Sequence, residues 1–164
     1  KIDNSKLILK SSVKYENKIL IDKFKKKGVE KKIKIYERSE FTNLRDHLNL
    51  YNDIDIALDT FPYNGVTTTF EALWMNVPVI VLKGNNFVSR CGESIIKNSK
   101  NDYLVANDVD EYVSKSVLLS QDLNKLNNIR KNIYEKILSS VLFDTKKFSK
   151  NFNETLLSIY NQHI

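Results

Sequence analysis

The sequence predicts an α/β fold built on a doubly wound, mainly parallel sheet, followed by a helical C-terminal extension. Short apolar runs alternate with stretches of helical periodicity over residues 1–108, which is the pattern of strands joined by crossover helices. The runs at 54–58 and 77–82 are almost entirely apolar, as expected for strands buried on both faces. Only helical periodicity remains over 109–164. We therefore expect a single domain over 1–164, with an α/β core and C-terminal helices.

The N-terminal part of the chain is expected to run strand, helix, strand, helix. Residues 6–10 form a short apolar run, and residues 32–36 alternate between apolar and charged side chains, so both favour strands. Apolar side chains recur at helical spacing over 14–27, which predicts the first helix. The second helix is expected over 42–51, with Thr42 as its N-cap.

The same alternation continues through the rest of the α/β core. The strand at 54–58 leads into a helix that carries Trp74, which we expect in the core. Pro78 is tolerated near the start of the next strand. The remaining elements are a helix over 87–98, a short strand at 103–106, and helices over 109–120, 123–138 and 145–162.

One segment combines a predicted strand, a tight turn and a helix that begins with hydroxyl side chains. Asn64 and Gly65 let the backbone turn sharply and approach a ligand closely. Thr67, Thr68 and Thr69 follow at the expected helix start, where unpaired backbone N–H groups and the helix dipole favour anions. Open α/β sheets hold phosphates on such a strand–turn–helix. A plain turn with threonine caps fits the same residues, and local chemistry leaves both readings open.

The composition argues against several classes of protein. The single cysteine, Cys91, excludes an internal disulfide and a cysteine-based metal site. Two histidines make a histidine-rich metal centre a poor expectation, so no metal ligands are predicted. No apolar run approaches the roughly 18 residues that a membrane span requires, and we expect no signal peptide. A cytoplasmic protein without membrane association is therefore expected.

The net charge of +6 comes from one short stretch of the chain. Residues 23–34 contain seven lysines and one glutamate, and the other charged residues cancel. Lysines suit the C-terminal end of a helix, and Gly28 is the expected C-cap of the first helix. A solvated helix end is favoured over a nucleic-acid site, because no arginine cluster or aromatic-interleaved basic stripe accompanies the lysines.

Several motifs in order carry a resemblance to a known family. The main one reads Leu-Asp-Thr-Phe-Pro-Tyr-Asn-Gly over 58–65, one variable residue, Thr-Thr, and then Glu-Ala-Leu-Trp-Met and Val-Pro-Val. Ser-Arg-Cys-Gly-Glu-Ser follows at 89–94, and residues 139–148 match the entry to a terminal helix. These segments resemble the C-terminal catalytic lobe of the O-linked N-acetylglucosamine transferases. That family includes the animal enzyme, plant SPINDLY proteins and bacterial enzymes with tetratricopeptide repeats, and we expect a bacterial member.

The resemblance implies the C-terminal, Rossmann-like lobe of a GT-B glycosyltransferase. Such enzymes invert the anomeric centre without a metal, and characterised members glycosylate Ser or Thr of proteins. We therefore expect a nucleotide sugar as the donor, UDP-GlcNAc before others, with no cofactor and a protein acceptor. A different donor such as GDP-fucose or a UDP-hexose, a non-protein acceptor, and a non-catalytic module that binds nucleic acid through its lysines remain alternatives.

The resemblance also assigns roles to individual residues. The diphosphate is expected on the turn and helix start formed by Asn64, Gly65, Val66, Thr67 and Thr68. Glu71 falls where an acidic residue holds the ribose hydroxyls, although a first-turn carboxylate also suits the helix dipole with no ligand at all.

Two further residues have expected roles, and two departures limit the inference. His47 falls where a histidine packs against the base, and Arg90 is a possible anion contact with structural packing as the favoured role. Val66 replaces a histidine of the animal enzyme, and Leu50 replaces an arginine near the base. The nucleotide and the sugar therefore stay open between UDP-GlcNAc and GDP-fucose.

Part of the family's catalytic apparatus has no counterpart in these 164 residues. The first β-α unit of the lobe would precede Lys1, so the strands at 6–10 and 54–58 would lack their shared neighbour. We expect direct pairing of these strands, or a strand borrowed from another chain in an exchanged dimer. The N-terminal lobe and the tetratricopeptide repeats are also absent. The general base is therefore expected outside the chain, no catalytic residue is named, and the fragment alone is expected to be inactive.

Overall fold

The computed structural model describes residue 2 and the ranges 4–11 and 14–162. The chain forms two compact units, Lys1–Ile54 and Asp55–Ile164, each with its own parallel sheet. This division does not coincide with the predicted boundary after residue 108. The assignment of one domain over the whole chain stays a prediction.

The first unit is a β-α-β crossover followed by a short helix. Strand β1 (Leu7–Ser11) pairs in parallel with β2 (Ile33–Glu37), and helix α1 (Lys14–Lys25) connects them. Gly28 adopts a positive φ of 68° beyond α1, and its N–H donates to the carbonyl of Lys25 at 2.9 Å. A left-handed glycine in this place is the common way to end a helix, so the predicted C-cap region is confirmed.

Helix α2 (Leu44–Asn49) begins one residue later than the sequence predicted. The side-chain oxygen of Asn43 accepts the N–H of Asp46 at 2.9 Å, which makes Asn43 the N-cap. Thr42 instead donates its hydroxyl to the Asp46 carboxylate at 2.8 Å. Asn and Thr are both favoured N-caps, and here the asparagine takes the place. A 3₁₀ turn, Leu50–Asp53, completes the predicted helix.

The second unit contains a parallel sheet of three strands in the order β3-β4-β5. The strands are β3 (Ala57–Leu58), β4 (Val79–Leu82) and β5 (Val105–Ala106). Helix α3 (Thr67–Trp74) leads from β3 to β4, and helix α4 (Cys91–Asn98) leads from β4 to β5. All four residues of β4 are buried, so the core of this unit is centred on its middle strand.

Two expectations about this unit were wrong. The predicted strand at 54–58 is only two residues long, and Leu58 is 47% exposed because β3 stands at an edge of its sheet. Trp74 was expected in the core but is 42% exposed. Its ring packs edge-on against Tyr134, with the centroids 5.0 Å apart, and also against Phe143. Apolar runs and large aromatic rings indicate that a side chain packs against other residues, but they do not indicate how completely it is buried.

The C-terminal region is helical, as predicted. It consists of α5 (Val109–Gln121), α6 (Leu123–Leu138) and α7 (Thr145–Gln162). Asp108 and Asp122 cap α5 and α6 by accepting backbone N–H groups with their carboxylates. Helix α6 buries apolar side chains, whereas every residue of α7 is exposed.

The α/β architecture with parallel strands and C-terminal helices agrees with the predicted fold class. β1 and β3 belong to different sheets, so the direct pairing expected between them is not found in the described part of the chain. The other expectation, a strand supplied by a second chain, stays a prediction.

Candidate functional site

The loop between β3 and α3 is closed by the side chain of Asp59. Its Oδ1 atom accepts the backbone N–H of Thr60 at 3.0 Å and that of Gly65 at 2.7 Å, which ties the two ends of the loop together. Burial raises the pKa of the Asp59 carboxyl above its usual value, although both N–H bonds favour the charged form. The loop is therefore held by a half-buried acid.

Asn64 braces the same loop from within. It is 1% exposed, and its Nδ2 donates to the carbonyl of Thr60 at 2.8 Å. Its Oδ1 accepts the N–H of Gly92 at 3.3 Å, and its own N–H donates to the carbonyl of Val88 at 3.0 Å. Asn64 was predicted to hold a diphosphate, and the structure places its polar atoms in bonds that join the loop to the start of α4.

Two glycines allow this loop to pack as tightly as it does. A Cβ atom at Gly65 would fall inside contact distance of Thr68 Oγ1, and would lie 3.0 Å from Thr69 Oγ1. A Cβ atom at Gly92 would collide with Oδ2 of Asp59. The absence of side chains at both positions is therefore a packing requirement of the turn.

The N-terminus of α3 carries no side-chain cap. Val66 occupies the N-cap position, and its side chain has no acceptor for the N–H groups of the first turn. Thr67 and Thr68 are exposed there, whereas Thr69 is buried and donates to the carbonyl of Gly65 at 3.1 Å. The reading of all three threonines as simple caps is not what the structure shows. Exposed hydroxyls beside uncapped N–H groups make a local environment that suits an anion.

Glu71 and Arg90 lie near the starts of the two helices of this unit. Glu71 is half-buried on α3, four residues after Thr67. Arg90 is exposed before α4, and its Nε lies 3.5 Å from Oε2 of Glu93. The Glu93 carboxylate accepts from Lys97 at 2.7 Å, and this bond first, with the nearby positive charges, lowers its pKa. Arg90 therefore pairs with a carboxylate of α4, and both of its expected roles stay predictions.

His47 belongs to the first unit. It is half-buried on α2, and its Nδ1 lies 2.8 Å from Nζ of Lys10 on β1. Its ring packs edge-on against Phe41 and Tyr51, with centroid distances of 6.1 Å and 5.8 Å. The predicted base-contact residue is thus held in an aromatic cluster of Tyr36, Phe41, His47 and Tyr51.

The sequence did not predict that Asp59 and Tyr112 support the turn between β3 and α3. In the sequence, Asp59 stands within the 58–65 motif, and aspartate side chains commonly accept nearby backbone N–H groups. Tyr112 donates its hydroxyl to the backbone carbonyl of Asp59 at 2.8 Å. Burial, with the adjacent Asp59 charge as a second cause, raises the pKa of Tyr112 to about 12. No local signal could connect these residues, because they are 53 positions apart.

Within residues 2, 4–11 and 14–162, no group of three or more His, Cys, Asp or Glu side chains is arranged to hold a metal ion. None of the helices over those same ranges is both long and apolar enough to span a membrane.

Parallel strands joined by crossover helices, followed by C-terminal helices, define an α/β protein of the doubly wound type. Comparison with known proteins narrows the class. The sequence profile of Glycosyl transferase family 41 matches residues 1–152, and the chain belongs to this family. The predicted relationship to the O-GlcNAc transferases and SPINDLY proteins is thereby confirmed.

Individual relatives support this assignment. A tomato (Solanum lycopersicum) protein named "Probable UDP-N-acetylglucosamine--peptide N-acetylglucosaminyltransferase SPINDLY" is 37% identical over 118 residues, which are 72% of this chain and 13% of the relative. The SPINDLY protein of Arabidopsis thaliana is 32% identical over 118 residues, covering 72% of this chain and 13% of its own length. This chain therefore spans only about an eighth of the curated relatives it matches.

A solved structure confirms the fold class. A mutant O-GlcNAc transferase of Thermobaculum terrenum superimposes with a TM-score of 0.83 at 29% sequence identity. The match covers 92% of this chain and 29% of the other. The α/β fold with C-terminal helices is therefore that of the corresponding catalytic region in the bacterial enzyme.

Proposed function

We propose that this chain is the donor-binding lobe of a protein O-glycosyltransferase that inverts the anomeric centre without a metal. The observation that carries the proposal is the uncapped start of α3, with Thr67 and Thr68 exposed beside it. The loop before it is fixed by the Asp59 and Asn64 hydrogen bonds, so the N–H groups need no rearrangement when an anion binds. Membership of family 41 supports the reading of that anion as a nucleotide diphosphate.

The chemistry of transfer explains why such an anion site is needed. When the glycosidic bond of the donor breaks, negative charge develops on the departing diphosphate. Without a cation, that charge has to be stabilised by backbone N–H groups, hydroxyls and the positive end of a helix dipole. Thr67, Thr68 and the first turn of α3 offer these groups on one surface.

Other parts of the donor have their own proposed contacts. Glu71 would accept hydrogen bonds from the ribose hydroxyls, since a carboxylate has room for two such donors. His47 would contact the base, as the family pattern implies. Gly65 and Val66 would approach the diphosphate through their backbone, and Arg90 stays a possible anion contact beside its ion pair with Glu93.

The donor and acceptor are proposed from the relatives. Their names specify UDP-N-acetylglucosamine as donor and peptide as acceptor, so we propose transfer of N-acetylglucosamine to Ser or Thr of proteins, in the cytoplasm. Because Val66 and Leu50 depart from the residues of the animal enzyme, a GDP-sugar remains the alternative donor. Because the chain covers 13% of such a relative, we expect turnover to require the remainder of a longer protein.

Isothermal titration calorimetry of the 164-residue chain with UDP and with GDP tests the proposal. We expect UDP to bind, and Thr67→Val and Thr68→Val each to weaken it about fivefold, the equivalent of one ordinary hydrogen bond. Thr155→Val, on exposed α7, is the matched control and should leave binding unchanged. If the chain prefers GDP, the proposed nucleotide is wrong but the proposed binding site stands.

A second titration addresses the lysine-rich alternative. A short single-stranded oligonucleotide is expected to bind much more weakly than UDP, and not to compete with it. Binding of the oligonucleotide with no binding of either nucleotide would overturn the proposed function, because the lysines of residues 23–34 would then be the relevant surface.

A further inference from the structure

The carboxylate of Asp59 has one oxygen in hydrogen bonds and one that is buried without a partner. Oδ1 accepts the N–H groups of Thr60 and Gly65. Oδ2 is buried, and within residues 2, 4–11 and 14–162 it has no hydrogen-bond partner. A Cβ atom at Gly92 would collide with this oxygen and would lie 2.9 Å from Cγ1 of Val81, so Oδ2 lies between the backbone of α4 and an apolar side chain. Such a position disfavours a charged oxygen.

The elements packed around Asp59 supply no positive charge to offset its own. Tyr112 of α5 donates to its backbone carbonyl, and burial, followed by the Asp59 charge, raises the pKa of this phenol. All four residues of β4 are apolar. In the part of the chain that the structure describes, no lysine or arginine pairs with Asp59. Other charged groups on the adjoining helices are Glu71 on α3, Glu93 with Arg90 and Lys97 at α4, and Glu111 with Lys115 on α5.

The proposed anion site at the start of α3 lies directly beside this carboxylate. Gly65, whose N–H donates to Oδ1, precedes the helix by two residues. A Cβ atom at Gly65 would lie 3.2 Å from Oδ1 of Asp59 and 3.0 Å from Oγ1 of Thr69, so the carboxylate and the first turn of α3 face the same point of the backbone. A diphosphate bound at this turn would bring more negative charge close to Asp59. Neighbouring anions disfavour the charged form of each other.

We propose that binding of the donor diphosphate at the start of α3 is coupled to uptake of a proton by Oδ2 of Asp59, so that affinity for the donor rises as the pH falls. The coupling rests on the proposed function, which supplies the anion. The proton comes from the solvent and neutralises the carboxyl group, while Oδ1 can keep its two N–H bonds and the loop stays closed.

The direction of the pH dependence follows from linkage. Burial already raises the pKa of the Asp59 carboxyl in the free protein, although the N–H bonds from Gly65 and Thr60 act against it. A bound diphosphate raises this pKa further. The bound state therefore holds the proton more tightly than the free state, and a lower pH favours binding.

Calorimetry in buffers of different ionisation enthalpy counts the protons exchanged on binding. UDP-GlcNAc is the probe because its phosphates, unlike the terminal phosphate of UDP, do not titrate between about pH 5 and 8. We expect wild type to take up a proton and to bind about tenfold more tightly at about pH 5 than at about pH 8, the equivalent of one pKa unit.

Asp59→Asn keeps an oxygen acceptor for the loop but has no charge to neutralise. It should lose most of the proton uptake and most of the pH dependence. The two histidines of the chain can also exchange protons near neutrality, so the tested quantity is the difference between wild type and Asp59→Asn. Asp55→Asn removes an exposed carboxylate of the same unit and is the matched control, which should behave like wild type.

Carbon-detected NMR of the Asp59 carboxyl measures the same coupling in wild type, without any substitution. Its titration midpoint should lie above the ordinary value of 3.8 in the free protein, and UDP-GlcNAc should raise it by about one unit. Equal proton uptake by wild type and Asp59→Asn, or a midpoint that UDP-GlcNAc does not move, would overturn the coupling and leave the donor site standing. If wild type binds no UDP-GlcNAc at any pH, the proposed function is refuted, and the coupling with it.

Discussion

Tyr112 of α5 donates a hydrogen bond to the backbone carbonyl of Asp59, with 2.8 Å between the oxygen atoms. The bond fixes the residue whose carboxylate closes the loop before α3. A helix late in the unit therefore supports the turn proposed to bind the diphosphate, and the precision of that turn depends on more than its own sequence motif.

Removing the Tyr112 hydroxyl tests this support. We expect Tyr112→Phe to lower the free energy of unfolding by about 1 kcal/mol, because the Asp59 carbonyl loses its donor. UDP affinity should fall as well, since the loop is less well fixed. Urea unfolding and calorimetry measure the two effects. Tyr160→Phe, on exposed α7, serves as control, and equal behaviour of the two variants would contradict the support role.

Replacing Asp59 should reduce stability and UDP affinity more than replacing Tyr112. Asp59→Ala removes the acceptor of the Thr60 and Gly65 N–H groups, and we expect a loss of about 1–3 kcal/mol in the free energy of unfolding. UDP binding should become undetectable or nearly so. Asp55→Ala removes an exposed carboxylate of the same unit and should change stability by less than about 0.5 kcal/mol. Normal UDP binding by Asp59→Ala would show that the loop needs no such closure.

Gly65, in the loop before α3, and Gly28, beyond the end of α1, give a paired test. Gly65→Ala places a methyl group inside contact distance of Thr68 Oγ1, so we expect weaker UDP binding together with lower stability. Gly28→Ala meets no atom within 4 Å but forces alanine into a φ of 68°. Its expected cost is about 1 kcal/mol of stability with UDP affinity unchanged. Loss of UDP binding in Gly28→Ala would argue that stability alone controls binding.

The proposed ribose contact of Glu71 can be tested by changing the nucleotide, without measuring the stability of the fold. If its carboxylate holds ribose hydroxyls, wild type should bind UDP about fivefold more tightly than 2′-deoxy-UDP, and Glu71→Gln should lose much of that preference. Comparing the two nucleotides within each variant removes any general effect of the substitution. The same ratio in both proteins would assign Glu71 to helix stabilisation.

Glu111 gives a prediction about pH. Its carboxylate accepts the N–H and Nδ2 groups of Asn107 and pairs with Lys115, and these contacts hold its pKa at about 2. Folding releases a proton from this group, so its stabilisation is complete above its ordinary value of 4.5 and is lost as the pH falls toward 2. Over that window, urea unfolding should show wild type losing more stability than Glu111→Gln. Parallel losses would refute the assignment.

What the sequence predicted well was local. Helix periodicity placed the C-terminal helices within a residue or two, and a glycine after a lysine-rich helix end indicated the left-handed residue at Gly28. Local preference also explains the error at α2, since Thr42 and Asn43 are adjacent and both are good caps. Which of them caps depends on backbone geometry that a pattern does not contain.

What the sequence could not predict depended on long-range contacts. The bond between Tyr112 and Asp59, the brace from Asn64 to Gly92, and the pairing of Lys10 with His47 join residues separated by dozens of positions. The motif predicted a turn between a strand and a helix, and the structure has this turn between β3 and α3. The structure then showed that Asn64 holds the turn, whereas Thr67 and Thr68 are exposed at its surface.

Trp74 is the only tryptophan of the chain, and it stands at the far end of the helix that begins with Thr67. Eight residues of α-helix separate the two ends by about 10 Å, so a ligand at one end would not touch the indole at the other. The indole is partly exposed and rests on Tyr134 and Phe143, which makes its emission sensitive to small displacements of α3. The chain thus carries a single tryptophan, whose emission can report nucleotide titrations without a label.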